Sequence, residues 1–468
     1  MIRENKTYDE LRVGDSAELK RICTADDFYV FANASGNHNP MHLPRADGDG
    51  DGVPEAVAPA MWVGSLISAV LGNILPGSGT LYRSQSFEFL DRAHAGDELV
   101  AHVRLSAKLD DGAVAFETSV VRPSDAATFL RGEAIVIAPT QHVAIEDLDL
   151  PGLVVQRHRH FDALLERAEP LPPIPVAVVA PEEPNSLGGA VLAARHTLIT
   201  PILVGDRGKI EVAAREAGDD ISGFEIVDVP DHVKAANAAV DLVAEGRADA
   251  LMKGHLHTDE LLRAALRKEN GLRAGRRFTH VFVMDVPGLA HPLLVTDAAI
   301  NIAPDLETKV DIVQNAIDLA ISLGIETPKV GVLSAVETVN PDIPSSVDAA
   351  LLSKMAERGQ IKGGLVDGPL AMDNAVDLAA ARTKGIRSEV AGRADVLVVP
   401  AIDSGNMLAK QLTYIAKAEG AGVVMGAKVP IILTSRSDGE KARLASCAVA
   451  AVHQARIRGV GITELAAQ

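Results

Sequence analysis

The sequence predicts two folded parts of different class. Residues 1–145 read as an α+β unit, an antiparallel sheet wrapped around one buried helix, and residues 175–468 as a doubly wound, mainly parallel α/β unit. Three observations predict this. Apolar and polar residues alternate from residue 79 to 138, the period of a half-buried strand. One stretch, Val57–Leu71, is apolar on nearly every side, as a helix enclosed on all faces must be. After Pro170-Leu171-Pro172-Pro173-Ile174-Pro175, short β-branched runs alternate with helical segments. That is the rhythm of strands buried by helices on both faces.

Thr24-Ala25-Asp26-Asp27 supplies an N-cap and an acidic third position to a helix over Phe28–Ala34. The buried helix Val57–Leu71 comes next. Leu99, Ala101, Val103, Leu105 and Ala107 then alternate with Val100, His102, Arg104, Ser106 and Lys108. Asp110-Asp111-Gly112 marks a hairpin turn into a second run, Ala113–Arg122, and a third passes through Leu130–Ile137. Residues 146–174, ending in prolines, read as a stiff linker. Beyond it, Val176–Ala180, Ile202–Val204, Ala250–Met252, Val281–Met284, Val330–Leu333, Val396–Val399 and Ile431–Leu433 read as strands. His232–Glu245, Leu306–Leu323 and Val347–Arg358 read as helices. Residues from about 305 to 430 are expected to form the second of two α/β lobes. Gly420-Ala421-Gly422-Val423-Val424-Met425-Gly426 looks like a phosphate-binding loop, but Ala427 stands where such a loop needs lysine. It reads as a turn feeding a strand.

Composition narrows the function. A chain of 468 residues exceeds one ordinary core, and 47% hydrophobic residues place it among folded proteins. The formal charge is −18, with 12 Lys/Arg against 23 Asp/Glu in residues 1–150 and 33 against 40 in the rest. Aromatic residues are only 3%. A polyanionic partner, nucleic acid or an acidic membrane surface, is therefore excluded as a bulk ligand. Cys23 and Cys447 are the only cysteines, so neither a disulfide framework nor a Cys-rich zinc site is expected. His255-Leu256-His257 and His158-Arg159-His160 lack third and fourth ligands at metal-site spacing, and no metal is expected. No apolar run approaches a membrane span, and Met1 is followed by charged residues rather than a signal sequence. The expectation is a cytoplasmic multidomain enzyme.

Polar residues fall just beyond the predicted strand ends at Lys253-Gly254-His255, Asp285, Ser334, Asp367-Gly368, Asp403 to Asn406, and Ser435-Arg436. Ligands of open α/β sheets bind at the carboxyl ends of strands, so these six positions mark one edge as the place for a site. In the first part, Ser35-Gly36-Asn37-His38-Asn39-Pro40-Met41-His42 gathers polar side chains at a helix end.

That last segment resembles the signature Ser-Gly-Asp-x-Asn-Pro-x-His of MaoC-like, hotdog-fold (R)-specific enoyl-CoA hydratases. Val57-Ala58-Pro59-Ala60-Met61, Leu75-Pro76-Gly77-Ser78-Gly79-Thr80, Gln85-Ser86-Phe87-Glu88-Phe89 and Gly96-Asp97 are similar to that family's later landmarks. The resemblance covers about the first 145 residues and implies a hotdog domain. It also implies that the Asp and His of the motif act on a water added across the enoyl double bond. His42 matches the His; Asn37 stands in place of the Asp. A neutral amide orients water but accepts no proton near neutral pH. The resemblance therefore implies either a working hydratase or a module that binds coenzyme A or drives oligomerisation.

The second part resembles the phosphate acetyltransferase/butyryltransferase family over about residues 175–465. The resemblance rests on Ala248 through Thr258 followed by Arg263, on Val366-Asp367-Gly368-Pro369-Leu370, Val390-Ala391-Gly392, Gly405-Asn406 and Leu433-Thr434-Ser435-Arg436. Ser334-Ala335-Val336-Glu337 and Lys428 through Arg436 resemble the butyryl branch more than the acetyl branch. The order of the two parts resembles proteins that join an enoyl-CoA hydratase to a phosphate acetyltransferase. The implied reaction converts acyl-CoA and phosphate reversibly into acyl phosphate and CoA, with no tightly bound cofactor. By motif match, Arg436 stabilises the transition state and Ser435 hydrogen-bonds the thiol or phosphate. Arg263, Lys253, Gly254, Ser334 and Asn406 are the expected substrate-binding residues. The acetyl branch carries its base, an Asp, about seven residues beyond the Ser, and that position is Ala442 here. Asp438 and Glu440 are the residues that could replace that base; Asp438, whose rival role is to N-cap the final helix, is taken as the candidate base. Transferases and hotdog domains of these families imply a homo-oligomer. A non-enzymatic acyl-CoA sensor is the rival to either activity.

Overall fold

A computed structural model of the chain describes residues 2–42, 56–146, 155, 158–435 and 438–460. The chain divides into two compact units, Met1–Val155 and Gln156–Gln468.

The first unit contains strands β1 (Ile2–Glu4), β2 (Ser16–Ile22), β3 (Leu81–Gln85), β4 (Glu88–Phe89), β5 (Glu98–Lys108), β6 (Ala113–Arg122), β7 (Ala127–Ile137) and β8 (Ala144–Glu146). Its main helices are α1 (Ala25–Ser35) and α2 (Ala60–Asn73). The main sheet has the order β2-β5-β6-β7-β3, with β4 also on β7, and every pairing is antiparallel. α1 begins where expected because Thr24 and Asp27 cap each other. Asp27 N–H donates to Thr24 Oγ1 (3.2 Å) and Thr24 N–H donates to Asp27 Oδ2 (3.1 Å), a reciprocal capping box. Gly36 ends the helix at φ +73°, where the absence of a Cβ removes the steric cost. α2 buries Trp62, Val63, Leu66, Ile67, Val70 and Leu71, and Leu99, Ala101, Val103 and Leu105 of β5 join the same core. Each large apolar side chain enclosed this way contributes roughly 1.5–3 kcal/mol. The buried helix therefore holds the sheet in its wrapped shape.

The second unit opens with α3 (Arg159–Ala168), β9 (Ile174–Val179), α4 (Pro184–Arg195), β10 (Ile199–Gly205), α5 (Arg207–Ala217) and β11 (Glu225–Asp228). It continues through α6 (His232–Ala244), β12 (Ala250–Lys253), α7 (Thr258–Ala265), β13 (Thr279–Asp285), β14 (Leu293–Thr296), α8 (Leu306–Ser322) and β15 (Lys329–Leu333). Next come α9 (Pro344–Glu357), β16 (Leu365–Leu370), α10 (Met372–Val376), α11 (Leu378–Thr383) and β17 (Val396–Val398). α12 (Ile402–Tyr414), β18 (Glu419–Met425), β19 (Ile431–Ile432) and α13 (Glu440–Ile457) complete the unit. Asp206, Asp231 and Asp305 start α5, α6 and α8 by accepting an N–H from the first turn.

All eleven strands form one sheet, in the order β11-β10-β9-β12-β19-β18-β13-β14-β17-β15-β16. Its flanks are parallel, while β18 runs antiparallel to both neighbours and β13 antiparallel to β14. Three features differ from the sequence expectation. Residues 420–425 are not a turn but the body of β18. A Cβ at Gly422 would lie 2.3 Å from Leu433 O, so this central strand is glycine-rich where neighbouring backbone crowds it, and it shows no side-chain alternation. Within the stretch read as linker, α3 is an integral helix that buries Phe161, Leu164 and Ala168 in the unit's core. The sheet also runs without a break through the strands of both expected lobes. Among the described residues, no helix is long and apolar enough to cross a membrane. None of them forms a group of three or more His, Cys, Asp or Glu placed to hold a metal ion.

Candidate active site

β9 is followed by β10 and β11 on one side and flanked by β12 on the other, so strand order reverses between β9 and β12. The carboxyl ends of β9, β12 and β19 meet at this switch point, where open α/β sheets hold their ligands. Beside it, between the segment leaving β19, the start of β18 and α12, opens a cleft of ≈ 620 Å³ lined by Phe282, Asn406, Lys410, Tyr414, Ser435 and Asp438 among others.

Ser435 follows β19, and its N–H donates to Asp438 Oδ2 at 2.7 Å. Asn185 Nδ2, from the first turn of α4, donates to Asp438 O at 2.9 Å. Burial pushes the Asp438 carboxyl above its ordinary value, opposed by the Ser435 N–H and by the charges of Arg443, His280 and Lys253. The group at the cleft wall is thus a more basic carboxylate than a surface aspartate.

Arg443 of α13 is only 2% exposed. It donates from Nη1 to Thr434 Oγ1 (2.7 Å) and Lys253 O (3.4 Å), and from Nη2 to Ser435 O (3.3 Å). One guanidinium therefore ties the end of β12 to the segment leaving β19. Burial lowers its pKa. Gly189 in α4 makes the room, since a Cβ there would lie 2.5 Å from Arg443 Cδ, while its neighbour Gly188 leaves space for Glu440. His280 of β13 is fully buried with Nε2 3.4 Å from Leu433 O, and burial pushes its pKa down. Sequence reasoning missed both residues. The available signal was an arginine inside the alanine-rich run 442–451, together with adjacent glycines in a helix, where each costs about 1 kcal/mol against alanine unless something large packs there.

The expected site residues divide. Ser435, Asp438 and Asn406 line the one cleft. Lys253 is buried at 3% exposure behind it, and its carbonyl is held by Arg443. Gly254 serves close packing instead of contacting a ligand through a side chain, because a Cβ there would lie 2.4 Å from both Val179 O and Ala180 O. Gly254→Ala is expected to destabilise the unit by about 1–3 kcal/mol in urea unfolding, as overpacking does. Arg263 is exposed, pairs with Asp259 one turn earlier at 3.5 Å, and is not among the cleft residues. Ser334 shares a 3.0 Å hydrogen bond with Ser345 and also lies outside the cleft lining. Arg436 falls outside the described residues. His255 pairs with Glu183 at 2.9 Å.

In the first unit, a cavity of ≈ 750 Å³ is lined by Asn37, His42, Val57, Phe89, Arg92 and His94 among others. His42 is buried, with Nδ1 2.8 Å from Val57 O. A carbonyl only accepts, so Nδ1 carries the ring proton and Nε2 is left as the basic nitrogen. Asn37 is exposed, and its Oδ1 accepts from Asn39 N–H at 3.3 Å.

Known proteins resemble the second unit most extensively. A family model described as phosphate acetyl/butaryl transferase matches residues 231–451. A phosphate acetyltransferase of Rhizobium meliloti is 56% identical over 302 residues, 64% of this chain and 96% of that protein. A branched-chain phosphotransacylase structure from Enterococcus faecalis V583 is 35% identical over 60% of this chain and 99% of its own, with a TM-score of 0.53. An unliganded (R)-hydratase from Pseudomonas aeruginosa is 32% identical over 33% of this chain and 100% of its own, with a TM-score of 0.32.

Proposed function

Since this chain belongs to the phosphate acetyl/butyryl transferase family, we propose that the cleft beside Ser435 exchanges a short acyl group between coenzyme A and inorganic phosphate. One observation carries the reading. A carboxyl whose basicity is raised by burial, Asp438, is fixed 2.7 Å from the Ser435 N–H at the sheet's switch point.

In the direction of acyl-CoA synthesis, Asp438 takes the thiol proton as sulfur attacks the carbonyl carbon of acyl phosphate. The carbonyl oxygen becomes a tetrahedral oxyanion, and its collapse expels phosphate. Arg436 meets both the oxyanion and the departing phosphate, the task a planar guanidinium suits best. The Ser435 hydroxyl orients the thiol, and the phosphate in the reverse direction. Asn406 contributes a polar contact, while Phe282, Ala409 and Ala418 supply the apolar wall for an acyl or pantetheine chain. Acyl-CoA, phosphate and acyl phosphate are the ligands, with no resident cofactor. The test is phosphate-dependent release of free thiol from acetyl-, propionyl- and butyryl-CoA. Absence of turnover with all three at saturating phosphate sinks the reading and leaves an acyl-CoA sensor.

His42 favours a second activity in the first unit, hydration of a short enoyl-CoA. Its Nδ1 is committed to Val57 O, so Nε2 is left to take a proton from water. Asn37 orients that water without accepting a proton. His42→Ala is expected to lower hydration of crotonyl-CoA at least tenfold, and Asn37→Asp to raise it by about tenfold to a hundredfold. Loss of the enoyl absorbance reports both, and an unchanged rate in His42→Ala removes this cavity from the chemistry. The outer strands β2 and β3 leave Ile22 and Leu81 exposed, which supports a homo-oligomer.

A further inference from the structure

β18 and α13 border the cleft at one end and a second cavity at the other. β18 meets the cleft at Gly420 and this cavity at Met425; α13 meets them at Ala442 and at His453 and Arg456. A strand of this length sets the two about 20 Å apart. The second cavity has a volume of ≈ 490 Å³. It takes in Gly426 and Ala427, the end of the glycine-rich run that lacks a phosphate-loop lysine.

Its polar groups are built in. His453 is 8% exposed, and Asn315 and Ser322 are each 2% exposed. Ser322 Oγ donates its one proton to Asp318 O (2.9 Å), so it accepts from His453 Nδ1, also at 2.9 Å. His453 is left with Nε2 as an acceptor, and burial pushes its pKa down to about 4, so the ring is neutral at physiological pH. The one carboxylate in the lining, Asp318, has both oxygens engaged. Oδ2 accepts from Arg276 (2.5 Å) and Oδ1 from Gln314 (3.0 Å). Arg456 donates from Nη1 to Ile321 O at 3.2 Å, one of five N–H groups on its guanidinium. The lining thus holds one guanidinium already paired with its acid, Arg276 on Asp318, a second, Arg456, that no carboxylate of the lining engages, and one neutral acceptor, which leaves a net positive charge.

We propose that this cavity binds a small hydroxylated organic anion, with its charge on Arg456, a further contact from the N–H groups of Arg276 that Asp318 leaves unused, and its hydroxyl donating to His453 Nε2. A carboxylate or a phosphoryl group meets the guanidinium pair equally well. The hydroxyl is what the buried imidazole selects, because a ligand lacking it leaves that acceptor unpaired.

Calorimetric titration of the full chain, without acyl-CoA, uses three probes: L-malate, succinate as its analogue without the hydroxyl, and glycerol 3-phosphate. At least one hydroxylated probe is expected to bind saturably, and which one does separates the carboxylate source from the phosphoryl source. If malate binds, succinate is expected to be about tenfold weaker or worse. Arg456→Gln is expected to weaken the bound probe about tenfold, while Arg436→Gln, next in sequence to the cleft residue Ser435, leaves it unchanged. Thermal unfolding verifies that both variants are folded. The proposal is overturned if neither hydroxylated probe saturates below about 10 mM, an affinity weaker than 3 kcal/mol or so. Succinate matching malate overturns it too, as does binding that survives Arg456→Gln but not Arg436→Gln.

Discussion

An Asp438→Asn chain is expected to lose about three orders of magnitude in acyl transfer, within the range attributed to a general base. Asparagine keeps an oxygen to accept the Ser435 N–H, so the loop geometry survives while the proton acceptor is gone. The pH profile separates base from scaffold. A base at Asp438 would act when ionised, and burial holds this carboxyl above the ordinary aspartate value. The wild-type rate therefore climbs with pH through that raised value, and the climb is absent in the asparagine variant. Stability runs the other way. A carboxyl whose folded pKa exceeds its unfolded one contributes stability that is full below the unfolded value and is lost as pH rises through the folded value. Above that raised value the wild type carries a buried, ionised group and the variant does not, so the variant is expected to resist urea slightly better there and to lose that advantage as pH falls through it. A variant retaining a tenth of wild-type kcat, or showing the same acidic limb, would show that the base lies elsewhere.

Arg436→Gln is expected to cost about a thousandfold in kcat/KM for phosphate, the scale associated with removing a charged transition-state donor. Both substrates are anions and the chain carries −18, so binding proceeds against the protein's own field. A single local guanidinium matters more under that condition than on a neutral protein. Arg436→Lys keeps the charge but not the planar fork, and it is expected to recover only part of the loss. Circular dichroism and the unfolding midpoint are expected to stay at wild-type values. Normal transfer by the glutamine variant would contradict the role.

Legibility from sequence followed the locality of each signal. The capping pair Thr24/Asp27, the alternation in β5 and the all-apolar face of α2 depend on neighbours a few residues away, and the folded elements lie within a few residues of the expected bounds. β18 escaped because Gly420 and Gly422 carry no side chain to alternate. α3 escaped because its place is secured by Phe161, Leu164 and Ala168 packing into a distant core. The site divides the same way. Ser435 and Asn406 stand at strand and helix ends that periodicity locates. Arg443 and His280 draw their importance from Thr434, Lys253 and Leu433, contacts with no spacing rule. Arg263 and Ser334, chosen by motif, engage neighbours outside the cleft lining.

The position of β19 also sets a timetable for the nascent chain. Ile431–Ile432 belongs to the final segment of the unit, yet it sits mid-sheet between β12 and β18. Until it emerges from the ribosome, both neighbours present unpaired edges, the kind that invite pairing with another chain. α13, which follows it, brings Arg443 to bridge β12 and the segment after β19. The late-synthesised residues that build the cleft are thus the ones that seal the sheet. A chain stopped short of them is left inactive and prone to aggregate together, so quality control that removes sticky truncations also removes inactive ones.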